Sequence, residues 1–122
     1  HRGPEALPVT LPAPVEGAAR AALAKKAEDV VALDLRSSAD FTDFFLLLSG
    51  QNQRQLVAIA DAVLDALRAT GRRPDHVEGY PRQEWILLDY SSFVVHVMTP
   101  KSRGFYDLER LWGGAKRVEV AG

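Results

Sequence analysis

Four side chains in this sequence have the types that metal-assisted phosphoryl transfer uses: Asp34, Asp43, Asp89 and His96. Carboxylates on adjacent strands can hold Mg²⁺, and the ion then clamps the transferring group. A small nucleotidyl- or phosphoryl-transfer domain is therefore one reading. The local spacing speaks against it. No glycine-serine loop with a paired Asp-x-Asp is present, and Asp34-Leu35-Arg36 lacks the second carboxylate. His96 lies within Val94-Val95-His96-Val97-Met98, where a buried, hydrogen-bonded strand residue is expected. Asp43 follows Thr42 just before a strand and is expected to tie down a loop. The three histidines have no ligand spacing, and no Ser-His-Asp set assembles. Ser49-Gly50-Gln51-Asn52-Gln53-Arg54 leads into a helix whose start could hold an anion. Its spacing is neither a phosphate-binding loop nor a dinucleotide fingerprint, so a capped helix is expected there.

A second set of residues suits protein binding. Trp85, Asp89, Lys101, Arg103, Tyr106, Leu108 and Glu109 put large aromatics beside charges in the last third of the chain. Binding faces need that mixture: aromatic anchors carry the affinity and charges surround them. Trp85 opens a strand just after a turn, so it is either a core Trp or an exposed anchor. Tyr106 and Glu109 stand three apart on a short helix and share a face. Leu108, Leu111 and Trp112 would pack that helix onto the sheet. Lys101 and Arg103 could meet acidic or phosphate groups, and Asp89 and Glu78 basic ones. Charges at such a rim steer association more than they add affinity.

The elements that must position these groups follow from periodicity. Residues 1–15 contain Pro4, Pro8, Pro12 and Pro14, and a flexible tail is expected. Residues 16–27 are rich in Ala, Leu and Lys and read as a helix. Residues 30–35 and 44–49 are short apolar runs, hence buried strands. The clearest helix is 51–70, where Leu56, Ile59, Ala60, Val63, Leu64 and Leu67 form one stripe. Asn52 is placed to cap it, Gln55 completes a capping box, and Gly71 stops it. Residues 76–78 read as a short strand, and 79–82 as a turn containing Pro81. Residues 84–89 and 93–98 are strands joined by Tyr90-Ser91-Ser92, a tight antiparallel hairpin. A helix over 103–111 follows, broken by Gly113-Gly114. Residues 113–122 read as a tail, with at most an edge strand at 118–120. The result is a single α/β domain over 16–112, a mixed sheet of about five strands flanked by helices.

Composition bounds the function classes. The chain has 122 residues, one domain's worth, with net charge −1 and no cysteine. No basic excess marks a phosphate-backbone binder, so direct DNA binding is not expected. The absence of thiols excludes disulfides and thiolate metal sites and fits a reducing, cytoplasmic setting. No apolar run approaches the roughly 20 residues a membrane span needs. The start, His1-Arg2-Gly3-Pro4, has no apolar core of a signal peptide and no initiating Met.

A set of strings in fixed order carries a specific likeness. They are Lys26-Ala27-Glu28-Asp29-Val30-Val31-Ala32-Leu33-Asp34, Thr42-Asp43-Phe44-Phe45, and Ser49-Gly50 with Asn52 and Arg54. Val77-Glu78-Gly79, Trp85-Ile86-Leu87-Leu88-Asp89-Tyr90 and Val94-Val95-His96-Val97 continue the series, which ends with Arg103-Gly104-Phe105-Tyr106-Asp107-Leu108-Glu109-Arg110-Leu111-Trp112. Over residues 16–112 the chain resembles the ribosomal silencing factor, or Iojap, family. That resemblance implies a mixed sheet between helices, of nucleotidyltransferase-like outline, and no catalysis or cofactor. It implies binding to the large ribosomal subunit through large-subunit protein fourteen, at the face that meets the small subunit. Subunit joining would then be blocked and translation repressed when nutrients run short. Members are often homodimers. Trp85 matches the family's binding Trp, which favours its reading as an anchor.

Overall fold

A computed structural model describes residues 11–80 and 84–120. The expected turn residues Pro81 and Arg82, and most of the expected N-terminal tail, lie outside these. The order is α1 (Ala13–Ala24), β1 (Glu28–Asp34), β2 (Phe44–Ser49), α2 (Gln53–Ala69), β3 (His76–Glu78), β4 (Trp85–Asp89), β5 (Phe93–Met98), α3 (Pro100–Tyr106), α4 (Leu108–Leu111) and β6 (Lys116–Glu119). The strands form one sheet in the order β3-β4-β5-β2-β1-β6. Among the described residues only β2 and β5 pair in parallel, so the sheet is mixed, as expected. Among the described residues it has six strands, one more than the expected count of about five. Lys116–Glu119, expected within a tail, pairs antiparallel with β1 from Val31↔Glu119 to Asp34↔Lys116.

Central strands explain the layers. Every residue of β2 and of β5 is buried. Strands that are apolar on both sides need a cover on both faces. On one face α1 and α2 supply it: Val15, Ala18, Ala22, Leu56, Ile59 and Val63 pack on Ala32, Leu46, Leu48, Ile86, Leu88 and Val95. On the other, Val31, Leu33, Phe45, Leu47 and Val94 are covered by Leu108, Trp112 and Ala115. β4 is buried on one side only, although its apolar run Trp85-Ile86-Leu87-Leu88 alternates too little to announce that. Ile86 and Leu88 are buried, but Trp85, Leu87 and Asp89 are only half-buried. The second cover reaches them only in part: Leu87 packs at the margin of its core and Trp85 against Tyr106 of α3.

Helix ends follow local chemistry. The Asn52 side chain accepts from the Gln55 amide at 2.9 Å, the cap expected of it. The Gln55 amide side chain then donates to the Lys25 and Lys26 carbonyls, joining α2 to the end of α1. α1 starts at Ala13, inside the region expected to be non-helical. Pro14 sits in its first turn, where an N–H has no helical partner to lose. The helix expected over 103–111 is two short helices, starting at Pro100 and broken at Asp107, which is left-handed with φ 47°.

Gly79, with φ +100°, leads from β3 toward β4. An added Cβ would lie 2.1 Å from the Trp85 carbonyl oxygen and 2.8 Å from the Ile86 Cα. Backbone cannot yield there as a flexible side chain can. Gly79→Ala is expected to cost about 2–4 kcal/mol, from left-handed strain plus overpacking. Urea unfolding measures it, and an unchanged midpoint would refute the constraint.

Candidate functional site

Trp85 begins β4 on the incompletely covered face. Its register partner is Met98, so His96, two residues along β5, is its diagonal neighbour. The Trp85 Nε1–H donates to His96 Nδ1 at 3.0 Å. On its other side the indole meets the Tyr106 ring, with centroids 4.7 Å apart at 48°. Tyr106 is 50% exposed and its neighbour Phe105 is 79% exposed. The two helical aromatics meet edge to face at 4.9 Å. Trp85 and Tyr106 therefore form a ridge, half in water.

A hollow flanks the ridge on each side. Glu78, Gly79, Trp85 and Leu87 line one of about 310 Å³. Glu84, Lys101, Ser102, Phe105 and Tyr106 line another of about 300 Å³. Glu84 accepts from the Ser102 hydroxyl at 3.3 Å and from the Thr99 hydroxyl at 3.4 Å, fixing the start of α3 against β4. Lys101 is exposed beside it. An apolar ridge with recesses on both sides and charges at the rim can receive side chains of a protein partner.

The structure separates the other expected site residues from this ridge. Asp89 shares the Trp85 face but lies four residues along β4, about 13 Å away. Its carboxylate accepts from the Ser91 amide at 2.8 Å and closes the hairpin turn. Arg103 turns inward, its side chain only 10% exposed. Its guanidinium grips Glu109 through two bonds of 3.1 and 3.2 Å, the Asp29 carbonyl at 2.6 Å and the Ser49 hydroxyl at 3.0 Å. Glu109 also accepts from Arg117 of β6 at 2.7 Å. The hydrogen bond from Arg103 holds the Glu109 carboxyl below the usual carboxylate range. Leu108 is half-buried against the second core. The break at Asp107 is why Tyr106 and Glu109 do not share a face. One meets Trp85 and the other meets Arg103.

One assignment changes with this corner and one residue is added to it. Trp112 packs on Phe45 as expected, with ring centroids 6.0 Å apart. Leu111, expected to pack, is 71% exposed. Phe105 was not singled out in the sequence. The adjacent aromatics Phe105-Tyr106 were the available signal, since a helix this short cannot bury both.

The carboxylates considered for phosphoryl transfer do not converge. Asp34 pairs with Arg36 at 2.7 Å, and that hydrogen bond lowers its pKa. Asp43 is exposed in a loop tied by its backbone to Leu35 and Ser92. Asp89 lies on a strand separated from β1 by β5 and β2. Among the described residues no group of three His, Cys, Asp or Glu is arranged to hold a metal ion. The start of α2 is also occupied by protein groups. Asn52 takes the Gln55 amide and the Gln55 side chain takes the Gln51 amide at 2.7 Å. No helix among the described residues is long and apolar enough to cross a membrane.

Comparison with known proteins gives one consistent answer. The family model described as "Ribosomal silencing factor during starvation" matches residues 8–122. Ribosomal silencing factor RsfS of Halalkalibacterium halodurans is 40% identical over 98 residues, covering 80% of this chain and 84% of that protein. The factor of the same name from Bacillus subtilis is 38% identical over 96 residues, covering 79% and 81%. The crystal structure of a Chromobacterium violaceum protein superposes with a TM-score of 0.82 at 32% identity, covering 93% of this chain and 95% of that one.

Two measurements test the site's construction. His96 is buried, and desolvation lowers its pKa from 6.5 to about 3. Between those values the unfolded chain binds the proton and the folded chain does not, so stability falls as pH is lowered. The urea midpoint is expected to drop from pH 7 to pH 5, and to drop less in His96→Leu. Equal drops would refute the assignment. Arg103→Met should cost about 2 kcal/mol, less than the roughly 3–5 kcal/mol of a fully buried pair, because Glu109 keeps Arg117. Thermal unfolding reads that loss.

Proposed function

We propose, from the premise that this chain belongs to the ribosomal silencing factor family, that it binds the large ribosomal subunit and bars the small subunit by its bulk. Its contact there is large-subunit protein fourteen, and it works in the cytoplasm beside the ribosomes whose joining it prevents. Translation is repressed while it stays bound, as when nutrients are short. The mechanism needs affinity and volume, and no bond is made or broken. A folded chain of this length is about 30 Å across, ample to clash at a close subunit interface.

The observation that carries this reading is the Trp85–Tyr106 ridge, half-exposed between two hollows on the uncovered part of the sheet. Contiguous apolar surface left partly in water, as where the tilted Trp85 and Tyr106 rings meet beside exposed Phe105, marks a site for a partner. Trp85, Tyr106 and Lys101 make the contact, with Phe105 beside them. Asp89 stands at its far rim. Arg103, Leu108 and Glu109 support it by holding α3 and α4 in place.

Co-sedimentation with purified bacterial large subunits tests the assignment. The wild-type chain should pellet with them. Trp85→Ala combined with Tyr106→Ala should weaken binding at least about 30-fold, the equivalent of losing one anchor worth about 2 kcal/mol. Wild-type protein left in the supernatant would end the functional reading. Equal binding by both would leave the function and remove the site.

A further inference from the structure

We propose that His96 is a positioning residue for the docking ridge, holding the Trp85 indole in the orientation that meets Tyr106. This rests on the function proposed above only for its consequence in binding.

His96 is an expensive choice for its place. It is 3% exposed and flanked by Val95 and Val97, both fully buried. Its Nδ1 accepts the indole proton, so the neutral ring carries its own proton on Nε2. That Nε2 is buried and has no hydrogen-bond partner among the described residues. A buried donor left unmade destabilises a fold, and an apolar side chain would avoid the cost. Burial keeps the ring neutral and therefore able to accept. What the imidazole supplies that Leu or Val cannot is an acceptor beneath a half-exposed indole.

The imidazole is itself immobilised. The Phe45 ring lies 4.4 Å from it at 68°, and Phe45 meets Trp112 at 86°. An aromatic row thus runs from Trp112 at the end of α4, through Phe45 and His96 under the sheet face, to Trp85 and Tyr106. Both ends of the row belong to the α3–α4 corner. A Trp at the edge of an open face would otherwise sample several rotamers, and ordering it would weaken binding. The hydrogen bond to His96 does that ordering before the partner arrives.

The test uses the full chain with His96→Leu and His96→Asn. Leu removes the acceptor. Asn places an amide oxygen near the position of Nδ1. Indole N–H exchange, followed by NMR and assigned with Trp85→Phe, reports the bond without any partner. Exchange at Trp85 is expected to quicken about tenfold in His96→Leu and to stay within about threefold of wild type in His96→Asn. Affinity for large subunits should fall about tenfold in His96→Leu and recover in His96→Asn, with thermal stability of the Leu variant near or above wild type at neutral pH. Unchanged indole exchange in His96→Leu overturns the proposal. So does unchanged affinity in that variant when Trp85→Ala binds poorly. If wild type fails to bind large subunits, the functional reading falls, and indole exchange alone decides whether His96 positions Trp85.

Discussion

The parallel pairing of β5 with β2, in register from Phe44↔Phe93 to Ser49↔Met98, is the constraint from which the rest of the molecule follows. Both strands are buried on both sides, so the sheet needs two covers. Two full helices make the first. The second is only the α3–α4 corner, with 7 and 4 residues in its helices. Such a cover is too short to span six strands. It shields β1, β2 and the near side of β5, and it leaves the outer face of β4 half in water. The candidate site lies where coverage runs out, and Trp85 and Tyr106 mark that margin.

A corner so short could not hold its own position by apolar area alone. Arg103 supplies what area cannot. One guanidinium reaches Asp29 near the start of β1, Ser49 at the end of β2 and Glu109 on α4. Through Glu109 and Arg117 the same network takes in β6. Planar bidentate geometry makes Arg suited to this, since its fork fixes angles as well as distances. Arg103 and Glu109 therefore serve the corner's internal order, while Phe105 and Tyr106 face outward.

Much of this architecture was legible in the sequence. The stripe from Leu56 to Leu67, the apolar runs of β2 and β5, the Tyr90-Ser91-Ser92 hairpin and the Asn52 cap are local signals, and local physics produced them. Other features depend on distant geometry. Trp85-Ile86-Leu87-Leu88 reads as a buried run, because no periodicity shows that one side lacks a neighbour. Arg103 reads as a surface charge, since its carbonyl partner at Asp29 is 74 residues away. β6 is four mostly charged and exposed residues, too weak a pattern to announce pairing with β1. Asp107 breaks a helix without glycine or proline, by a left-handed turn that Asp tolerates and no spacing rule demanded.

The two margins of the sheet have a consequence for the protein's behaviour in bulk. β3 has three residues, and β6 presents Lys116, Arg117 and Glu119. Brief or charged borders offer a poor template for a further strand, so neighbouring copies gain little by stacking edge to edge into fibrils. Such borders let the folded chain be concentrated while its copies stay apart.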